Sequence, residues 1–259
     1  MSNQSIFEIT PNGLADLANL KDQVERHQVV VIRGLELDVS QQMEITRLLG
    51  EPEESWEDHH PKSKFLQLMD SRTQVRIAGK SSSKFWHLDR SFMPRPTRFT
   101  LLHAVKIGDG ARGTQFINSR RVLASLPEDL ALRLDQLHAI HDFTLNFPRV
   151  MTAKGYDRSR ITTLKKMYPP AIHPMTRKSE YGDSLYFSEL CVARIVELSP
   201  DESDRLIDLL RSFTLTWNEV IEHTWRPRDT LIWDNFSTIH RARPDGAQGI
   251  RVLHRSTAS

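Results

Sequence analysis

The sequence predicts a mainly β domain with a few helices on its outside, and three observations carry that expectation. Short β-branched or aromatic runs recur along the chain and crowd toward its carboxy-terminal part. Glycine, proline and small polar residues punctuate them. The helical stretches are too few to alternate with every strand, which argues against the alternative, a parallel α/β fold. The pattern fits a double-sheet barrel of the jelly-roll kind, a cupin-like double-stranded β-helix with flanking helices. Residues 1–259 read as a single domain, because no repeat, low-complexity stretch or linker divides them.

Taken in order, residues 12–27 carry Leu14, Leu17, Leu20 and Val24 at helical spacing behind a capping Asn12. Residues 27–34 form a β-branched run closed by Gly34, a buried strand. Ser40 opens a second helix through Met43, Ile45, Leu48 and Leu49 that stops at Gly50. Residues 51–83 are polar and irregular around a weak strand at 64–69. Extended structure is expected at 85–92, at 98–105 and, after the turn at 108–113, at 114–117. Ser125, Pro127 and Glu128 have the spacing of a capping box for a helix reaching Leu137. Residues 143–170 are basic, weakly periodic and broken by proline, and read equally as a lid or an ordinary surface loop. A short strand follows at 184–187. Ser199, Pro200 and Glu202 then cap a helix through Leu206, Ile207, Leu209 and Leu210. Residues 214–217, 222–225, 229–233 and 249–254 are read as closing strands.

Composition excludes several function classes. With 39% hydrophobic and 26% charged residues the chain is of the soluble globular type, and a net charge of +2 supplies no footprint for nucleic acid or a membrane surface. No apolar run approaches the roughly 20 residues of a membrane span. The amino-terminal residues lack the basic and apolar segments of a signal peptide, and the single cysteine, Cys191, has no internal disulfide partner, so a reducing, cytoplasmic setting is expected. A small-molecule partner is expected, and homo-oligomerisation is left open.

The chemistry concentrates at residues 85–92, where His87 and Asp89 stand two apart. On a strand such residues share a face. An imidazole and a carboxylate aimed at one point are two-thirds of the facial triad that holds Fe(II) with open coordination positions. The second imidazole is best sought at His240, after an apolar strand and the polar turn Asp234, Asn235. Arg251 and Arg255 follow with equal strand parity, and a guanidinium suits bidentate recognition of a carboxylate.

His87 and Asp89 with the late His240 and Arg251 resemble the ligand and co-substrate motifs of the taurine dioxygenase family, which includes the 2,4-dichlorophenoxyacetate dioxygenases. The resemblance runs through most of the chain and is most specific over 225–235 and on to His240, His254 and Arg255. It implies an Fe(II)- and 2-oxoglutarate-dependent oxygenase that uses O2, with His87, Asp89 and His240 on the metal and Arg251 and Thr114 on the far carboxylate of 2-oxoglutarate. Thr114 follows Ala111, Arg112 and Gly113 where the family has Gly-Gly-Asp before its threonine, so the threonine carries over without the aspartate beside it. Arg255 matches the second family arginine, which meets an anionic substrate or braces the co-substrate pocket. His59, His60 and Ser83 fall in the segment where relatives place substrate-facing residues. The implied reaction couples oxidative decarboxylation of 2-oxoglutarate to succinate with C–H oxidation, first of all hydroxylation, of a small substrate that is acidic or derived from an amino acid.

Each assignment has a plainer competitor. A lone His-X-Asp is usually a core or surface pairing, and Arg255 has a structural ion pair as its rival role. The remaining histidines read as core or surface groups, Cys191 as a small buried hydrophobe, and Trp86, Trp225 and Trp233 as core aromatics, the first and last close enough in sequence to wall the iron site. A non-catalytic cupin-like metal binder and a zinc-dependent hydrolase on the same ligands are the alternatives in function.

Overall fold

The computed structural model of the protein describes residues 6–11, 13–55, 59–72, 76–77, 80–81, 85–145, 157–244 and 249–259. Among these, seven strands form the larger sheet, in the order Phe7–Ile9, Val29–Ile32, Thr230–Asp234, Phe99–Ile107, Arg251–Ala258, Ser63–Asp70 and His59–His60. Its first pair is parallel and the others are antiparallel. A second sheet places Thr114–Asn118 between Ile221–His223 and Thr238–Ala242.

Period-two alternation decides what lies between and outside these sheets. Val29, Val31, Leu102, Ala104, Leu231, Trp233 and Leu253 of the larger sheet pack with Phe116 of the smaller one in a buried inner layer. The alternate residues Val30, Ile32, Leu101 and Ile232 turn outward onto Leu20, Val24, Ile45 and Leu49 of the helices Leu20–His27 and Val39–Leu49. On the far side of the smaller sheet, Ile117 and Ile239 meet Val122, Leu134, Leu206 and Leu210 from the helices Ser119–Ser125, Glu128–Leu134 and Pro200–Thr216. The architecture is therefore mostly β with helices on both outer faces.

Several sequence expectations change in detail. Thr214 and Thr216 continue the long helix, which runs over Pro200–Thr216, so no closing strand starts there. The expected capping box of that helix is present, Ser199 accepting from the Glu202 amide. Ser125 caps nothing, because its hydroxyl donates to the Val122 carbonyl at the end of a preceding helix, Ser119–Ser125, whose own cap is the Asn118 carboxamide. Asp38, not Ser40, caps the helix Val39–Leu49 in a capping box with Gln41. The strand at 64–69 is a full eight-residue strand, Ser63–Asp70. Of the segment 143–170, residues 146–156 lie outside the described residues, and Arg158–Met167 is helical. A third sheet, Ala171–Pro174, His138–His141 and Val192–Ile195, has no clear sequence signature because its strands are four residues each. No helix of the described residues is long and apolar enough to cross a membrane.

Candidate active site

The site forms between the two sheets, both of which line it. His240 sits in the middle of the strand Thr238–Ala242, opposite Phe116. Beside it, His87 and His240 exchange both backbone hydrogen bonds, each 3.0 Å long, in an isolated antiparallel bridge. Residues so paired project side chains to the same face, and the imidazole centroids lie 4.3 Å apart. Asp89 is not on a strand, contrary to the sequence reading. The chain leaves the bridge in a turn, with Arg90 in the left-handed region at φ 49°, and the turn carries the carboxylate toward the larger sheet.

Nε2 of His87 lies 3.9 Å from Asp89 Oδ1 and Nε2 of His240 lies 3.6 Å from Asp89 Oδ2. One ligand atom from each residue fits within a sphere where all pairs are within 4.8 Å, the one such group among the described residues. A first-row metal about 2.0–2.2 Å from each donor needs donor separations near 3 Å, so each imidazole has under about 1 Å to close toward the carboxylate. His87 Nδ1–H donates to the Phe85 carbonyl at 2.8 Å, which turns the Nε2 lone pair toward the cluster. This donor set of two imidazoles and one carboxylate on one side fits a non-haem iron site.

Charge around Asp89 is arranged to keep it ionised. Burial alone raises its pKa, but Arg255 first, then His240 and His87, outweigh it and hold the carboxyl well below the ordinary range. Arg255 Nη2 is 3.0 Å from Oδ2, and the Thr100 hydroxyl donates to the same oxygen at 2.7 Å. Burial, with His87 adding, pushes His240 down to about 3, so its ring is neutral at pH 7 and has a lone pair to offer.

Thr114, Arg251 and Arg255 line the same pocket as the triad, with Met69, Leu102, Trp233 and Ala242 as apolar wall. Its cavity measures about 70 Å³. Arg251 is 5% exposed, donates to the Arg112 carbonyl at 3.0 Å and has no carboxylate partner among the described residues. Burial pushes its guanidinium down to about 10, with Arg112 adding to the shift. Thr114 is held by close packing of its neighbour: a Cβ on Gly113 would come within 2.6 Å of the His223 carbonyl oxygen.

Other singled-out residues fall elsewhere. The His60 imidazole packs edge-on against His254, 4.7 Å away, and does not line this pocket. His59 belongs to the strand His59–His60, and Ser83 lies outside the described residues. Trp233 walls the pocket, whereas Trp86 packs into the core beyond the smaller sheet under the Arg241 guanidinium. Arg90, next to Asp89 in the turn, pairs with Glu53 at 3.1 Å. Cys191 is buried, and burial pushes its thiol up to about 11, which leaves it unreactive. Thr100, Asn235 and Gln67, which bonds Arg255 at 3.4 Å, were not singled out by sequence. Thr100 sits amid an apolar strand and Gln67 in a weak one; Asn235 stands in the polar turn and closes the most specific stretch of the resemblance, but carries no role there.

The family model of the taurine catabolism dioxygenase TauD, TfdA family matches residues 5–257. The α-ketoglutarate-dependent 2,4-dichlorophenoxyacetate dioxygenase of Burkholderia sp. (strain RASC) is 25% identical over 259 residues, covering 94% of this chain and 85% of that protein. The α-ketoglutarate-dependent sulfate ester dioxygenase of Pseudomonas putida is 27% identical over 238 residues, covering 90% and 77%. In fold, the chain is similar to AAD-2, solved with Mn(II) and N-oxalylglycine, with a TM-score of 0.76, 20% identity and coverage of 100% and 94%. A taurine dioxygenase from Burkholderia xenovorans superposes with a TM-score of 0.75 at 20% identity, covering 98% and 86%. With a match that runs almost from end to end, the chain belongs to the taurine catabolism dioxygenase TauD, TfdA family.

Proposed function

We propose that His87, Asp89 and His240 hold the iron, that Arg251 and Thr114 take the far carboxylate of 2-oxoglutarate, and that the substrate is a small acid or amino-acid-derived molecule hydroxylated at a C–H bond. As a family member the chain is a 2-oxoglutarate (α-ketoglutarate)-dependent dioxygenase, an oxidoreductase using Fe(II) and O2. That membership favours the oxygenase over a non-catalytic metal binder or a zinc hydrolase. The observation that carries the assignment of residues is Arg251: a buried cation without a carboxylate partner among the described residues, in the pocket that the three donors share. An uncompensated buried charge is costly unless a ligand answers it. When bound, iron supplies the redox chemistry that couples decarboxylation of 2-oxoglutarate to oxidation of the substrate.

The chain's own residues do the positioning. Arg251 meets a carboxylate as a rigid fork, the Thr114 hydroxyl offers it a further donor, and Trp233, Leu102 and Met69 keep water from the pocket. Arg255 has five N–H donors, and its bonds to Asp89 and Gln67 leave others for an acidic group on the substrate. The sulfate ester and aryloxyacetate named for two relatives are also anionic. We read the two facing sheets as the double-stranded β-helix core of one domain, with the ligands at its mouth.

Anaerobic loading with Fe(II) and 2-oxoglutarate, followed by a screen of small acids and amino acids for substrate-stimulated succinate, tests the reading. Alanine at His87, Asp89 or His240 is expected to abolish turnover while leaving cooperative unfolding intact. A matched acid and neutral amide then tests Arg255: its alanine variant is expected to lose activity on the acid selectively. Full activity in any triad variant refutes the metal assignment, and equal loss on acid and amide refutes anion recognition by Arg255.

A further inference from the structure

Resting on the assignment of Asp89 as a metal ligand, we propose that Asn235 and Thr100 form a hydrogen-bond relay of fixed polarity that positions the Asp89 carboxylate. Both are positioning residues, and both are wholly buried. Asn235 Oδ1 accepts from the Asp89 backbone N–H at 3.2 Å and from the Trp233 indole N–H at 3.1 Å. These two groups can only donate, so the amide oxygen must face them and a flipped carboxamide is excluded. Asn235 Nδ2 therefore faces Thr100 Oγ1 at 2.9 Å and donates to it. A threonine hydroxyl has a single proton, and with the amide donating into its lone pair that proton goes to Asp89 Oδ2 at 2.7 Å.

The direction of every bond is thus set by an indole and a main-chain amide, neither of which can change role. Oδ2 is filled by the Thr100 proton and by Arg255 Nη2 at 3.0 Å, which leaves Oδ1, on the side of His87, for a cation. The same carboxamide ties down the main chain of Asp89, in a turn whose next residue, Arg90, has φ 49°. Without the relay Oδ2 keeps only the Arg255 contact, and the carboxylate is free to offer a cation either oxygen. Sequence alone gave no reason to join Thr100 to Asn235, since the contact exists only because Phe99–Ile107 and Thr230–Asp234 are sheet neighbours.

The test titrates the metal-free protein with Co(II) and records affinity and the visible ligand-field spectrum. Thr100→Val keeps the shape and deletes the hydroxyl. It is expected to weaken Co(II) binding by about 10–100-fold, the usual effect of losing a partner of a metal ligand, and to alter the spectrum. Thr100→Ser is expected to restore both. Parent-like affinity and spectrum in the valine variant overturn the relay, as does a serine variant as impaired as the valine one, because the methyl group would then be the cause. If the valine variant does not unfold cooperatively, Thr100→Ala, which adds no bulk, reads the same two quantities. A parent protein that binds no Co(II), or binds it unchanged after His240→Ala, refutes the triad itself and is thereby distinguished from failure of the relay.

Discussion

Replacing Arg251 with methionine is expected to do two things of opposite sign. Holding the guanidinium near 10 rather than 12.5 corresponds to about 3 kcal/mol of destabilisation of the charged form in the fold, at about 1.4 kcal/mol per tenfold. The native pKa is the lower one, so the unfolded chain binds more protons between these values; the penalty is complete below about pH 10 and fades above it. Methionine removes that penalty and loses the bond to the Arg112 carbonyl, worth about 1 kcal/mol. Without ligand the variant is therefore expected to be more stable by about 2 kcal/mol, a rise of roughly 4–8 °C in Tm for a chain of this size. With metal present, its affinity for 2-oxoglutarate is expected to fall by about 2–5 kcal/mol, roughly thirtyfold to several thousandfold, as for loss of one member of a buried charge pair. Scanning fluorimetry of the metal-free protein and calorimetric titration of 2-oxoglutarate into the Mn(II) form read the two effects. Arg251→Lys, a point charge without the fork, is expected to recover little binding. A methionine variant that melts lower than the parent while binding 2-oxoglutarate equally well refutes the reasoning on both counts.

Two further outcomes concern stability. Arg226, Pro227, Arg228 and Asp229 make a turn closed by the Asp229 amide on the Arg226 carbonyl, with Arg228 at φ 66° where such a turn favours glycine. Arg228→Gly is expected to raise the urea midpoint by an amount worth about 1 kcal/mol, since the ion pair it removes with Glu36 is exposed; a lower midpoint contradicts this. His141 and His103 are buried, and burial pushes them down to about 3 and 4, His173 and Arg177 adding at His141 and His254 at His103. The unfolded chain takes up their protons first, so their full contribution is present above pH 6.5 and is lost as pH falls toward 4. Between pH 7 and 5 each is expected to cost on the order of 2 kcal/mol. His141→Leu should flatten that slope of the urea midpoint against pH, and an unchanged slope counts against it.

How much of this was legible depended on where the information lies. The strands Val29–Ile32 and Thr230–Asp234 announce themselves as unbroken apolar, β-branched runs and are buried along their whole length, and the helix Pro200–Thr216 announces its start through Ser199, Pro200 and Glu202. Its end does not show, because Thr214 and Trp217 look β-like and tertiary packing of Thr214 overrides that preference. His87, Asp89 and His240 converge as read, yet by a different route: a single bridge and a left-handed turn, not a strand, bring the carboxylate across. Arg255 shares the pocket with Arg251 as its parity implied, but its engagement by Asp89 is a contact between segments far apart in the chain and has no local signal. The strands of the third sheet were missed for the same reason, their pairing being set by partners rather than by their own four residues.

The strand Arg251–Ala258 lies between Phe99–Ile107 and Ser63–Asp70 in the larger sheet, with a partner on each flank. During synthesis both of those partners leave the ribosome well before it does, and each waits with an open, hydrogen-bonding edge. Such edges invite pairing with other chains, so the nascent protein is at its most association-prone late in translation. The same insertion brings in Arg251 and Arg255 last. A chain interrupted before residue 251 thus keeps His87, Asp89 and His240 but has neither guanidinium, and its larger sheet is divided between Phe99–Ile107 and Ser63–Asp70.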